Sequence, residues 1–392
     1  MAGKSSAERA AIAALTARIL PGFLAAGCDH IEPDILQPAD IFLDRSGEDI
    51  RSRTFVFTDP AGRELCLRPD LTVPACRYHL SHAADPSAET RYCYAGKAFR
   101  FQPGGGDHLH PPEFDQVGIE LIGAADAEAA DAEVLRLTLA AVAAAGLETF
   151  RVTTGDLGLF HALLSSLPMP ERWRRRLARQ FWRPRAFRAM LDELAGARAR
   201  PRTSISPLID RLVEAGEDDV EAFVARHLEA QGLEPVAGRS IADIAGRLAE
   251  KAADRRETPL GKRVSQAIDA YLAIRGSPDA AAAALATLAN RVGGSFADAV
   301  ERFARRRRLL AAAGVDTAAL EFSSVFGRSL EYYTGFVFQI EVEAGDGSDV
   351  AVAGGGRYDG MLSDIGAPSP IPAVGCAIHT ERLLAALAEG RP

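Results

Sequence analysis

Residues 114–122 read Phe114-Asp115-Gln116-Val117-Gly118-Ile119-Glu120-Leu121-Ile122. As a strand, this stretch puts Val117, Ile119 and Leu121 on one face and Gln116, Gly118 and Glu120 on the other, flanked by Phe114 and Ile122. A carboxylate in the middle of a central strand is costly unless a cation or hydrogen-bond donors meet it. The glycine beside it leaves a side chain's place empty. Together they predict a floor for a small ligand bearing an ammonium group, with Glu120 as its counter-ion. From this strand alone the preferred reading is the plainer one, a Glu120 that faces solvent or pairs with a structural arginine.

Arg91–Phe101 lies just upstream and has the texture of an antiparallel partner, joined to the first strand by the Gly/His/Pro-rich loop Pro103–Pro112. Further back, Arg53–Thr58 and Arg63–Leu67 flank Asp59-Pro60-Ala61-Gly62, which predicts a hairpin. The chain opens with a helix over Ala7–Ile19, stopped by Pro21 and Gly22. Downstream, Asp126 caps a helix that runs to Ala145 and ends at Gly146, and Phe150–Thr154 is a short strand. From His161 to Gly314 nearly everything has helical character. Strand texture returns at Phe322–Glu343, followed by a glycine turn at Ala353–Gly356 and a last strand and helix from Ala373. Strands, then helices, then strands predict an α+β fold: an antiparallel sheet flanked by helices over 1–160 and 315–392, with a helical insertion over 161–314.

Composition narrows the function classes. Of 392 residues, 47% are hydrophobic and 25% charged, which excludes a largely disordered chain. No apolar run is long enough for a signal peptide or a membrane span, so no membrane partner is expected. The five cysteines form no CxxC and no Cys/His pattern, which points to reduced thiols and a cytoplasmic location, with no metal and no cofactor. With 45 basic against 53 acidic residues, the net charge of −8 argues against a protein devoted to polyanions. One segment runs the other way: residues 172–188 carry eight arginines, two tryptophans and no acid. The preferred reading is a helix pair with Leu177, Phe181 and Phe187 inward and arginines outward, and nucleic acid is not an expected partner.

Three more segments offer chemistry. In Leu67-Arg68-Pro69-Asp70-Leu71-Thr72, a carboxylate and a hydroxyl two residues apart share a face if the backbone is extended. Gly327-Arg328-Ser329-Leu330-Glu331-Tyr332-Tyr333-Thr334-Gly335 supplies a guanidinium fork and two phenols. Gly354-Gly355-Gly356-Arg357-Tyr358-Asp359-Gly360 permits close backbone approach but matches neither a dinucleotide nor a phosphate-loop spacing.

Taken in order, these segments resemble the core of a class II aminoacyl-tRNA synthetase, specifically histidyl-tRNA synthetase, over residues ~20–160 and ~320–390. Leu67–Thr72 is similar to the segment that holds the histidine amino group. Phe99–Gln102 with Phe114–Glu120 resembles motif 2, and Arg328–Tyr333 and Gly354–Asp359 resemble the two histidine-specific motifs. Gly375–Leu383 resembles motif 3. Motif 1, near Gly27–Gln37, is the loosest match, and the resemblance implies self-association into a dimer through it. The histidine-binding residues it implies are Asp70, Thr72, Gln116, Glu120, Arg328, Tyr332 and Tyr333, with Glu120 and Asp70 holding the ammonium and Arg328 the carboxylate.

The departures from that family bear on function. Arg100 is followed two residues on by Gln102 rather than glutamate, and the loop Gly104–Glu113 has no arginine or lysine. Those are the cations a triphosphate needs. His379 stands where motif 3 has a small glycine, and only ten residues follow Arg382, which is expected to leave no room for an anticodon-binding domain. Arg100 and Arg382 thus mark a vestigial nucleotide site beside a retained histidine pocket. That combination resembles the regulatory subunits of ATP phosphoribosyltransferase, a family of synthetase paralogues. It implies a chain with no catalysis of its own that assembles with the short-form catalytic subunit in histidine biosynthesis and senses histidine. The alternative is a histidyl-tRNA synthetase lacking its anticodon-binding domain.

Overall fold

The alternating pattern around Glu120 is realised as a strand near the middle of a nine-stranded sheet. The structure, a computed structural model, describes residues 3–43, 48–107, 109–197, 205–215, 219–232, 240–327, 332–345 and 347–389. The strands are β1 (Asp29–His30), β2 (Leu36–Pro38), β3 (Val56–Thr58), β4 (Glu64–Leu67), β5 (Thr90–Phe99), β6 (Glu113–Ile122), β7 (Arg151–Asp156), β8 (Arg275–Gly276), β9 (Leu320–Ser323), β10 (Phe336–Glu343), β11 (Asp349–Arg357) and β12 (Ala373–His379). The large sheet runs β1-β5-β6-β12-β11-β10-β7-β9-β8, and β2-β4-β3 form a small one. Among the described residues only β1 with β5 and β7 with β9 pair in parallel. The α+β class and the antiparallel centre are as the sequence predicts.

One face of the large sheet is the hydrophobic core. Val117, Ile119 and Leu121 of β6 are at most 1% exposed and pack with Leu15, Ile19 and Phe23 of the first helix, Val134, Leu135 and Val142 of the helix Ala127–Ala145, and Leu383. Each such side chain contributes roughly 1.5–3 kcal/mol of burial. The opposite face of β6 carries Gln116, Gly118 and Glu120 and is left for the site.

Two local expectations are overturned. The first helix does not stop at Pro21; it runs Ser6–Ala25 with the proline inside. Burial of Phe23 on the far side of Pro21, at 1% exposure, holds the last turn against the lost hydrogen bond. Gly354–Gly356 is not a turn either but part of β11, paired with β10 and β12. Its glycines serve close approach: a Cβ on Gly355 would lie 2.2 Å from the Gly375 carbonyl oxygen and 2.8 Å from Phe338 Cζ.

The chain divides into two compact units, 1–166 with 270–392, and Leu167–Asp269. The insertion expected at 161–314 is therefore narrower in the structure. Pro278–Val292 and Gly294–Ala312 belong to the first unit because their buried faces, including Phe296, Phe303 and Arg306, pack there. In the second unit the Arg-rich segment forms two helices, Glu171–Gln180 and Pro184–Leu194, burying Trp173, Leu177, Phe181 and Phe187. Several of its arginines are paired with acids: Arg172 with Asp254 and Glu257, Arg174 with Glu171, Arg176 with Asp254, Arg175 with Glu250, and Arg188 with Asp269. Among the described residues no helix is long and apolar enough to cross a membrane.

Candidate functional site: a polar cleft over strand β6

Glu120 is fully buried and sits opposite Tyr92 on β5 and Gly375 on β12. A Cβ on Gly375 would fall 1.5 Å from Glu120 Oε2, so the neighbouring strand is bare where the carboxylate lies. Tyr94 Oη donates to Glu120 Oε1 at 2.8 Å, and Tyr358 Oη donates to Oε2. Burial pushes the Glu120 carboxyl up to about 7; the hydroxyls of Tyr358, Thr72 and Tyr94 oppose that, while nearby Asp70 adds to it. Glu120 does not face solvent, and among the described residues its partners are hydroxyls rather than an arginine.

Above it lies a cleft lined by Asp70, Thr72, Arg100, Gln116, Tyr332, Tyr333, Gly354, Tyr358, Gly375, Cys376, Ala377 and His379. As the side chains stand its cavity volume is about 20 Å³, room for about one water. Glu120 is not on the wall but directly behind it, under Tyr358 and Gly375. Asp70 and Thr72 share the wall, although not through an extended backbone. Thr72 opens the helix Thr72–His82, and Asp70 Oδ1 accepts from Val73 N at 3.2 Å at its start. Burial raises the Asp70 pKa, opposed chiefly by the charge of Arg100. Arg100 is anchored by Nε on the Pro69 carbonyl at 2.8 Å. Gln116 is 1% exposed, and among the described residues no donor meets its Oε1. Tyr332 packs on Tyr333 with ring centroids 4.6 Å apart and edge-on to Tyr358 at 5.9 Å. Arg328 lies outside the described residues.

Asp70, Thr72, Gln116, Tyr332 and Tyr333, quoted from three separate segments, thus meet around one cleft, with Glu120 as the layer behind it. The sequence reading missed Tyr94 and Tyr358. Tyr358 stands in a quoted motif beside Arg357, and the pairing of Tyr94 with Gly118, two positions from Glu120, was the available signal.

A second cleft adjoins the first, lined by Arg53, Arg100, Gln102, Leu109, His110, Pro111, Phe114, His379, Glu381 and Arg382. Arg100 and His379 line both. His379 is buried against Phe114, and Arg382 spends Nε on the Leu109 carbonyl and Nη1 on the Ala351 carbonyl, at 2.9 and 3.0 Å. Glu381 is held by Lys4 at 2.6 Å and by Asp115 N. Asp107 Oδ1 closes the loop on itself by accepting from Leu109 N and His110 N.

The histidyl-tRNA synthetase family matches residues 5–253 and 221–383 of this chain. Among curated proteins, the ATP phosphoribosyltransferase regulatory subunit of Mesorhizobium japonicum is 40% identical over 383 residues, 97% of this chain and 98% of that protein. The protein of the same name from Brucella anthropi is 38% identical over 359 residues, covering 90% and 92%. Among solved structures, an ATP phosphoribosyltransferase regulatory subunit/histidyl-tRNA synthetase from Bacillus halodurans superposes with a TM-score of 0.68 at 22% identity, over 99% of this chain and 82% of that one. A histidine–tRNA ligase subunit from Alicyclobacillus acidocaldarius does so with a TM-score of 0.61 at 24% identity, covering 99% and 96%. At those identities the superpositions speak for the fold alone.

Proposed function

The chain belongs to the family of ATP phosphoribosyltransferase regulatory subunits, built on the histidyl-tRNA synthetase fold, and from that premise we propose that the cleft over β6 binds free histidine. The chain is a regulatory, non-catalytic subunit that acts with a catalytic ATP phosphoribosyltransferase subunit, of the short form, at the first step of histidine biosynthesis. Histidine in the cleft is the signal it passes to that partner.

The observation that carries the ligand reading is Gln116 Oε1, a buried acceptor that no described donor meets, on a wall it shares with Asp70 and Thr72. A buried acceptor left unmade costs ~1–3 kcal/mol, which a ligand ammonium would recover. Asp70, Thr72 and Gln116 face the ammonium; Arg100 and Arg328 take the carboxylate; Tyr332 and Tyr333 frame the ring. Glu120, one layer down, supplies negative charge through Tyr358. A ligand regulates only if it binds two states unequally, so the expected readout is a histidine-dependent change in the partner's activity.

The test is calorimetry of the purified chain with histidine and with histamine, which lacks the carboxylate, and then an activity assay of the co-purified complex with and without histidine. Binding of histidine with at least tenfold weaker binding of histamine is expected. No binding to the chain alone or in complex would overturn the reading.

Self-association through the motif 1 region is a second part of the proposal. It is supported by a run of exposed apolar side chains on and beside the small sheet: Ile35, Leu36, Val56 and Phe57 are each 40% exposed or more. The cytoplasm is the proposed location, and five buried, unpaired cysteines agree with a reducing compartment.

A further inference from the structure

Arg357 and Tyr358 are consecutive at the end of β11 and reach opposite faces of the sheet. Tyr358 goes to Glu120 on the cleft face. Arg357 goes to the core face, where Nε and Nη2 both meet Asp131 Oδ1, at 2.8 and 2.7 Å. Its Nη2 also donates to the Ala127 carbonyl at 2.7 Å, and Nη1 to Asp359 Oδ1 at 2.8 Å. The other oxygen of Asp131 accepts from Arg306 Nε at 2.8 Å, and Arg306 Nη1 meets Asp156 Oδ2 at 2.7 Å. Arg357, Asp131, Arg306 and Asp156 are each at most 8% exposed.

A buried ion network of this kind gains little stability over well-packed apolar residues. What it does is fix geometry, and here it ties the helix Ala127–Ala145, the helix Gly294–Ala312, the end of β7 and the end of β11 to one another. The grip continues through the backbone. The Arg357 carbonyl accepts from Thr334 N at 2.8 Å, and Asp359 N donates to Thr334 Oγ1 at 3.1 Å, just after Tyr332 and Tyr333.

We propose that Arg357, clamped by Asp131 and Arg306 on the core face, is a positioning residue of the histidine cleft: it fixes the end of β11 so that the Tyr358 hydroxyl stays on Glu120. The proposal rests on the reading of the cleft as a histidine site, but its geometry can be tested separately. The groups facing Glu120 are Tyr94 from β5, Thr72 and Cys76 from the helix Thr72–His82, Asp70 before that helix, Cys376 on β12, and Tyr358. Of these, the Tyr358 hydroxyl does most to keep the carboxyl ionised, so loosening it drives the Glu120 titration upward.

The experiment compares the wild-type chain, Arg357→Met, Tyr358→Phe and the double variant by carboxyl-carbon NMR titration of Glu120 and by histidine calorimetry near neutral pH. Both single variants are expected to raise the Glu120 midpoint and weaken histidine about tenfold, the loss of one charge-assisted hydrogen bond. The double variant is expected to match Tyr358→Phe alone. An unchanged midpoint in Arg357→Met, or additive effects in the double variant, would overturn the proposal. Should Arg357→Met fail to fold, Arg357→Lys is read in its place; it keeps the charge beside Asp131 but cannot make the two-pronged contact, and the same direction is expected. If the wild-type chain binds no histidine, the ligand reading fails while the Glu120 midpoints still decide the positioning role.

Discussion

His379 lies against Phe114 with ring centroids 5.4 Å apart and planes tilted by 39°, and Arg100 stands over the same ring at 5.3 Å. In the sequence His379 takes the place of a small motif 3 glycine, and in the fold it covers the aromatic face at the junction of the two clefts. With Arg382 committed to two carbonyls and Glu381 to Lys4, the second cleft is turned inward on its own side chains.

Opening that cleft does not make an enzyme. The chain is expected to show no histidine-dependent ATP–pyrophosphate exchange, and His379→Gly is expected to stay silent as well, because the loop Gly104–Glu113 carries no cation for a triphosphate. Exchange above background in either protein would favour the synthetase reading.

Gln116→Leu separates binding from stability. Removing an unmet buried acceptor relieves a cost of ~1–3 kcal/mol, so the variant is expected to melt at the same temperature as wild type or higher. Histidine affinity is expected to fall at least tenfold. Calorimetry and a thermal melt on one sample check both halves; a less stable variant with unchanged affinity contradicts them.

Glu120→Gln tests the buried carboxyl. The native group holds its proton up to about 7, whereas an unfolded glutamate releases it near 4.5. Between those values the native state binds more protons, so the stability Glu120 contributes is greatest below 4.5, falls as pH rises, and levels off above 7. The full difference is on the order of 3 kcal/mol. Glu120→Gln lacks this slope, so it is expected to gain on wild type between pH 5 and pH 8 in urea denaturation. Parallel pH curves for the two proteins would rule the argument out.

Asp254→Asn probes the Arg-rich helices. Asp254 accepts from Arg172 Nε at 2.7 Å, from the Trp173 indole at 2.6 Å and from Arg176. Its neutralisation is expected to cost ~1–3 kcal/mol, seen as faster hydrogen exchange in Glu171–Gln180 and Ile241–Arg256 with the sheet unit unchanged. Because Arg172, Arg174, Arg175, Arg176 and Arg188 already have acidic partners, the wild-type chain is expected not to retain tRNA even at low salt, where electrostatic binding is strongest.

Phe57→Asp places a charge on the exposed apolar face of β3. The variant is expected to run as a monomer by light scattering where wild type runs as a dimer. Equal masses for both proteins would remove that face from the interface.

Much of this was legible locally. The two faces of β6, the Asp126 cap and the hairpin at Asp59–Gly62 follow from spacing and turn chemistry within ten or twenty residues. The glycine run 354–356 was misread for the complementary reason: its glycines answer to Gly375 and Phe338 on neighbouring strands, which no local window contains. Pro21 was misread because a local breaker was outweighed by burial of Phe23 against the sheet.

The sequence by itself determined the alternation that separates core from cleft, the set of polar residues that resemble a histidine pocket, and the loss of cations from the motif 2 loop. Only the tertiary structure decided that Glu120 stands behind the cleft wall with phenols on both its oxygens, and that Arg357, Asp131 and Arg306 lock together beneath it. The physical reason is range. Periodicity and turn preference act between near neighbours in the chain, whereas a buried charge must be matched by whatever group the fold brings to it, here 226 residues away between Asp131 and Arg357.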